Sequence, residues 1–184
     1  VFVISGVETI TNLLRSVTGT TSQKTLEGWL QSGKSADDAF ALLKFDKAGV
    51  NLLSSSKLDT WVTYMKAYNL NNPAKRPATM IKTFTGAYGD APLAKILEAA
   101  KGVASTKKMA QELQLAQFNQ WVMQGLKPDD VFHTVLKLKP NTWTTDPGAI
   151  ILHQYNKFYK LQLKKVETQV VRLKCTVQRS IALR

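Results

Sequence analysis

The fold class this sequence predicts is all-α, a tandem array of about eight to nine helices in small bundle units joined end to end. Three observations predict it. Apolar residues recur at the 3.6-residue spacing of a helix face along most of the chain, and no stretch alternates with a period of two in a strand-like context. Gly, Pro and Asn punctuate these stripes at helix-length intervals. A block of residues also recurs 92 positions further on, the mark of a repeat architecture.

Taken in order, Val7, Ile10, Leu13, Leu14 and Val17 form the first stripe, with Ser5 and Glu8 at capping-box spacing ahead of it, and Thr18 to Ser22 reads as a polar loop. Leu26, Trp29 and Leu30 give a second helix ending at Gly33. A third begins at Ser35, with Ala36, Ala39, Phe40, Leu42 and Leu43 on its apolar face and Asp37 and Asp38 in its first turn, where the helix dipole favours a carboxylate. The central stretch Leu58 to Lys101 holds three further helices. Leu58, Trp61, Val62 and Met65 mark the first, with Ser56 as a capping start. Pro77 suits the first turn of the second, which carries Met80, Ile81, Phe84 and Tyr88. Asp90 caps the third, which carries Leu93, Ile96, Leu97 and Ala100 and closes at Gly102. Another helix runs from about Thr106 to Gln124. Beyond Lys160 the chain reads as one long basic amphipathic helix, with Leu161, Val166, Val170, Leu173, Val177 and Ile181 among its apolar positions.

Trp121, Gly125, Asp129, Asp130 and Phe132 repeat Trp29, Gly33, Asp37, Asp38 and Phe40 at an offset of 92. With two more residues of slip, Leu152, Tyr155, Phe158 and Tyr159 fall opposite Leu58, Trp61, Tyr64 and Met65. The expected organisation is an N-terminal helix over 1–20, a first unit over 21–104, and a second unit over 105–184 that is divergent or incomplete. The expected core residues are Trp29, Phe40, Trp61, Tyr88, Trp121, Phe132 and Tyr155, with Trp61 and Tyr88 the largest buried surfaces of the first unit.

The order of these residues says more than their periodicity. A Trp and a Tyr on helices separated by an Asn/Pro loop, with Tyr88 inside a Y-G-D-x-x-L-A-x-x-L-x-x-A-K run, resembles the WY domain of secreted RXLR effectors from oomycete plant pathogens, over Trp29 to Lys101. The segment W-L-x-x-G-K-S-A-D-D-A-F-x-L-L-K, Trp29 to Lys44, is similar to the opening segment of the LWY variant of that family, whose units lock end to end. The second copy departs from the pattern: Tyr155 falls where the family has Trp, and no Y-G-D-x-x-L-A run follows.

Composition agrees with a folded chain. Of 184 residues, 44% are hydrophobic and 21% charged, which supports a real core and argues against disorder. No apolar run approaches the roughly 20 residues that span a bilayer. The start, VFVISGV, lacks the basic flank and cleavage pattern of a signal peptide, so the chain is read as a mature fragment. A lone cysteine, Cys175, leaves no internal disulfide, which fits work in a reducing cytosol. Net charge is +12, and the segment from Lys157 to Arg184 has eight basic residues against one acid, Glu167. Lys157, Lys164, Lys165 and Arg172 form a candidate electrostatic contact patch for phosphates, anionic lipid or an acidic protein surface.

No constellation points to catalysis. Gly28 to Ser35, GWLQSGKS, matches the phosphate-binding loop pattern G-x-x-x-x-G-K-[ST], but polar TSQKTLE precedes it where a buried strand is needed, and Trp29 and Leu30 sit inside it on a helical stripe. Gly33, Lys34 and Ser35 read instead as a helix stop, a linker and a cap. His133 and His153 have no ligand spacing, and Cys175, with basic neighbours, has no sequence-near histidine. No metal, cofactor or catalytic residue is expected.

What the family resemblance implies is a non-enzymatic protein-binding module: a virulence effector secreted by the pathogen, acting in the host cytoplasm or nucleus and suppressing immunity by docking on plant proteins. Some tandem-unit members of the family bind the scaffold subunit of host protein phosphatase 2A, which makes that subunit a candidate target. The alternatives are a helical protein binding nucleic acid or anionic surfaces through the basic C-terminal helix and, behind it, a nucleotide-dependent enzyme using GWLQSGKS. The sequence leaves open the partner, its contact surface and the oligomeric state.

Overall fold

The computed structural model describes residues 2–16, 23–141 and 146–182. Among them there are nine helices and no strand. They are α1 (Phe2–Arg15), α2 (Gln23–Gln31), α3 (Ala36–Leu42), α4 (Leu58–Asn71), α5 (Met80–Tyr88), α6 (Asp90–Ala100), α7 (Lys107–Met123), α8 (Pro128–Asp130) and α9 (Gly148–Ala182). Two short 3-10 turns, Phe45–Lys47 and Gly49–Asn51, bridge α3 and α4, and a π turn, Val131–Val135, continues α8. The chain divides into two compact units, Val1–Gln114 and Leu115–Arg184.

Several helix starts differ from the sequence expectation. Helix α1 runs through Ser5 rather than starting at it. The loop expected over Thr18 to Ser22 lies outside the described residues, as does Val17. Lys57, not Ser56, precedes α4, and it makes no side-chain cap. Pro77 lies ahead of α5, whose N-cap is Thr79, with its hydroxyl accepting from the Lys82 N–H at 3.3 Å. The reason is upstream: the Asn69 carboxamide bonds both the N–H and the carbonyl of Ala78 at 2.8 Å, which holds that segment extended until Thr79. Gly89, at φ +79, precedes α6, and Asp90 is its first residue. The start at Ser35 is as expected, a reciprocal capping box with Asp38.

The first unit is built around an aromatic cluster. Phe40 stacks on Phe45 at 5.1 Å between centroids and meets Trp61 at 5.2 Å and Phe84 at 5.4 Å. Trp61 is fully buried, and its indole N–H donates to the Ala36 carbonyl at 2.9 Å, so the one polar atom of the ring is satisfied inside the core. Leu26 of α2, Leu52 just after the second 3-10 turn, and Leu93, Ala94 and Leu97 of α6 are also fully buried.

Tyr88 corrects one expectation. It is only half-buried, and its hydroxyl donates to the Phe45 carbonyl and accepts from the Gly49 N–H. The large buried tyrosine of this unit is Tyr64, on the same helix as Trp61. Trp29 and Phe132 are likewise half-buried, whereas Phe40, Trp121 and Tyr155 are buried.

Candidate functional surface

The sequence repeat corresponds to a piece of geometry that occurs once in each unit. In the first, α2 ends at Gly33, whose φ of +71 is the left-handed conformation that glycine adopts without a Cβ penalty. The Lys34 N–H then bonds the Trp29 carbonyl at 2.9 Å. From α4, the Tyr64 hydroxyl donates to the Lys34 carbonyl at 2.8 Å, and the Tyr64 ring meets Trp29 edge-on at 5.7 Å and 83°. In the second unit, Gly125 has φ +76, the Leu126 N–H bonds the Trp121 carbonyl at 2.9 Å, and the Tyr155 hydroxyl donates to the Leu126 carbonyl at 2.5 Å. Trp121 and Tyr155 meet at 5.2 Å and 81°.

The two clamps therefore superimpose Tyr155 on Tyr64, an offset of 91, and not on Trp61 as the sequence alignment placed it. At that offset Leu152 takes the Trp61 position. Hydrogen bonding makes the match: in each unit a tyrosine hydroxyl reaches the carbonyl after the left-handed glycine. Burial pushes both phenols up to about 12, with Asp38 adding to the rise at Tyr64 and Tyr159 at Tyr155.

The turn beyond each clamp is also shared. Asp38 accepts from the Ser35 N–H, and Asp130 from the Lys127 N–H, each at 2.8 Å. The Ser35 backbone N–H, with its hydroxyl, holds the Asp38 carboxyl below the usual carboxylate range. Lys44 and Lys137 both adopt positive φ at the end of their segments, +63 and +51. They are 93 residues apart rather than 92 because the π turn, with Leu136 N–H bonding the Val131 carbonyl, adds one residue. The aspartates before the cap differ. Asp37 accepts from the Thr83 hydroxyl at 2.5 Å, whereas its counterpart Asp129 is exposed beside His133 Nε2 at 3.5 Å.

These clamps consume the residues of GWLQSGKS. Gly28 to Gln31 are helical, Gly33 is the helix stop, the Lys34 carbonyl receives Tyr64, and Ser35 caps α3. No loop of free amides is left to cradle a phosphate. Among the described residues, no group of three or more His, Cys, Asp or Glu could hold a metal ion, and no helix is long and apolar enough to cross a membrane.

The predicted patch residues lie on α9. Lys157, Lys164, Lys165 and Arg172 are all exposed, and the last three line a shallow groove with Leu161, Thr168 and Gln169. Tyr64 and Phe118 are the residues that sequence reasoning undervalued. Phe118 packs on Trp121, Tyr155 and Phe158 at 5.3 to 5.8 Å. The missed signal was the paired tyrosines at offset 91.

Units of this kind, each locking the turn after a Trp-bearing helix with a tyrosine from the second helix beyond it, define a class of all-helical repeat protein. No family model matches the chain. It is similar to the RxLR effector protein PSR2 of Phytophthora infestans, 40% identical over 73% of this chain and 17% of that protein. The PSR2 protein of Phytophthora sojae is 42% identical over 60% of this chain and 16% of its own length. PexRD25 of Phytophthora infestans is 35% identical over 61% and 36%. The crystal structure of PcRxLR12 matches with a TM-score of 0.72 and 37% identity, over 89% of this chain and 43% of that one. Its curated relatives are RxLR effectors of Phytophthora, and the chain shares the WY-type helical fold of an oomycete RxLR effector. It spans about a sixth of the length of the PSR2 relatives.

Proposed function

We propose that this chain is part of a virulence effector that is secreted by the pathogen and acts inside plant cells as a non-enzymatic protein-binding module, suppressing immunity through surface contacts. The observation that carries this reading is the duplicated clamp. The aromatic residues, glycines and acidic caps are used to build and repeat the scaffold, which leaves the exposed surface free to vary with the partner. Relatives that share this scaffold are RxLR effectors, a family secreted and translocated into host cells, which supports placing the work in the host cytoplasm or nucleus.

A host protein is the proposed partner, with the scaffold subunit of protein phosphatase 2A the first candidate to test. The exposed cations of α9 would speed its approach when that surface is acidic. Affinity purification from plant tissue expressing the chain, followed by mass spectrometry, tests the reading. Recovery of a specific plant protein, and retention of the phosphatase scaffold subunit by purified chain, is the expected result. Retention of RNA or anionic vesicles, with no plant protein, replaces it by the alternative in which the basic helix binds nucleic acid or an anionic surface.

A further inference from the structure

The segment that joins α4 to α5 takes no part in either clamp. From Thr60 to Gly89 the charged residues are Lys66, Lys75, Arg76 and Lys82, so this stretch carries cations and no acid. Lys75, Arg76, Pro77 and Thr79 are exposed, and residues 76–79 belong to no helix. Pro77 keeps Arg76 out of the helical region of backbone space. The Asn69 carboxamide holds both backbone groups of Ala78 at 2.8 Å, and Lys75 Nζ lies over the Tyr68 ring at 5.7 Å. Thr79 is extended, with φ −132 and ψ 151, and its hydroxyl takes one long bond from the Lys82 N–H at 3.3 Å. The fold therefore presents a short extended segment that ends in an exposed hydroxyl.

A protein kinase takes its acceptor hydroxyl on extended backbone, and kinases with acidic substrate grooves read an arginine three residues before it through paired carboxylates. Arg76 stands at that spacing from Thr79, with Lys75 one residue further back and the apolar Met80 next along the chain. Backbone conformation separates Thr79 from a rival. Thr168 follows Lys164 and Lys165 at the same spacings, but it lies inside α9 and its hydroxyl donates to the Lys164 carbonyl at 2.8 Å. Thr18, three residues after Arg15, lies outside the described residues.

We infer that Thr79 is a phosphorylation site for an ATP-dependent serine/threonine kinase that selects arginine three residues before its acceptor. Thr79 Oγ1 attacks the γ-phosphorus of ATP, the bond from that phosphorus to the β-phosphate oxygen breaks, and ADP leaves. The hydroxyl proton passes to the catalytic aspartate of the kinase. The product adds a charge of about −1.5 to −2 at pH 7 to a stretch whose only charges are its four cations. Attraction of an acidic partner to this stretch falls accordingly. The reaction needs only the folded chain and kinase, so it stands apart from the choice of host partner proposed above.

Incubation of the full folded chain with the catalytic subunit of cyclic-AMP-dependent protein kinase and magnesium ATP tests this, read by intact mass and by mapping of the phosphopeptides. The expected result is one phosphate, carried by Thr79. Arg76→Ala is expected to lower kcat/KM at least about tenfold, since it removes the charge that the kinase reads. Thr79→Val abolishes the modification and Thr79→Ser, which restores the hydroxyl, retains it. Circular dichroism checks that each variant keeps the helical content of the wild type. A folded chain that takes no phosphate on Thr79 overturns the proposal, whether or not a peptide of residues 72–85 is modified. So does a phosphate placed mainly on Thr18 or Thr168, or an Arg76→Ala chain modified as fast as the wild type.

Discussion

The Tyr64 hydroxyl of α4 donates to the Lys34 carbonyl at 2.8 Å, so that a side chain from one helix fixes the turn that ends another. Tyr155 does the same for Leu126 in the second unit. Removing one hydroxyl leaves a carbonyl without its partner. Tyr64→Phe and Tyr155→Phe are each expected to cost about 1–3 kcal/mol. Denaturant unfolding, with near-ultraviolet dichroism reporting the Trp–Tyr pairs, checks this, and wild-type stability in both variants would show that the clamps carry no energy.

Trp61 is fully buried against Phe40 and Phe84. Trp61→Ala is expected to cost about 3–5 kcal/mol, the range for large aromatic truncations in a core. The same unfolding experiment measures it, and a loss below about 1 kcal/mol would place the residue outside the folding core.

The buried phenols are expected to make stability fall at alkaline pH. Tyr64 and Tyr155 are neutral when protonated, and the fold raises them from 10.0 to about 12. Stability from this source is whole below pH 10 and drains away as the pH climbs toward 12. Tyrosinate absorbance should show two phenols ionising only near pH 12, above the ordinary value of 10.0, and loss of both late ionisations from the folded chain would contradict it.

Nucleotide binding through GWLQSGKS is expected to be absent, because its backbone is spent on a helix, a glycine stop and a cap. Isothermal titration with ATP and magnesium checks this. Micromolar affinity that disappears in Lys34→Ala would reinstate the nucleotide-dependent reading.

Reversing Lys157, Lys164, Lys165 and Arg172 to Glu is expected to leave folding unchanged, since all four are exposed. Association with a plant partner should slow about tenfold or more at low salt, with the difference shrinking as salt rises. Surface plasmon resonance at two ionic strengths measures it. An unchanged association rate at low salt would make the patch a solvated helix face.

The sequence by itself determined that the chain is helical, where most helices lie and that its Trp-Gly-Asp-Asp-Phe block is used twice. Those features are local: a 3.6 spacing, a glycine at a helix stop and an aspartate three residues after a cap act within a turn or two. The Ser35 start and the helical character of GWLQSGKS were legible for that reason. Only the tertiary structure decided which tyrosine does what. Tyr88 and Tyr64 both stand on helices near Trp61, and periodicity cannot tell a half-buried hydroxyl at the Phe45 and Gly49 backbone from one buried at Lys34. The pairing of Tyr155 with Tyr64 was hidden for a related reason. Changes in loop length and one π turn shift the offset from 92 to 93 and then to 91, and a long-range hydrogen bond, unlike a helix face, leaves no period in the sequence.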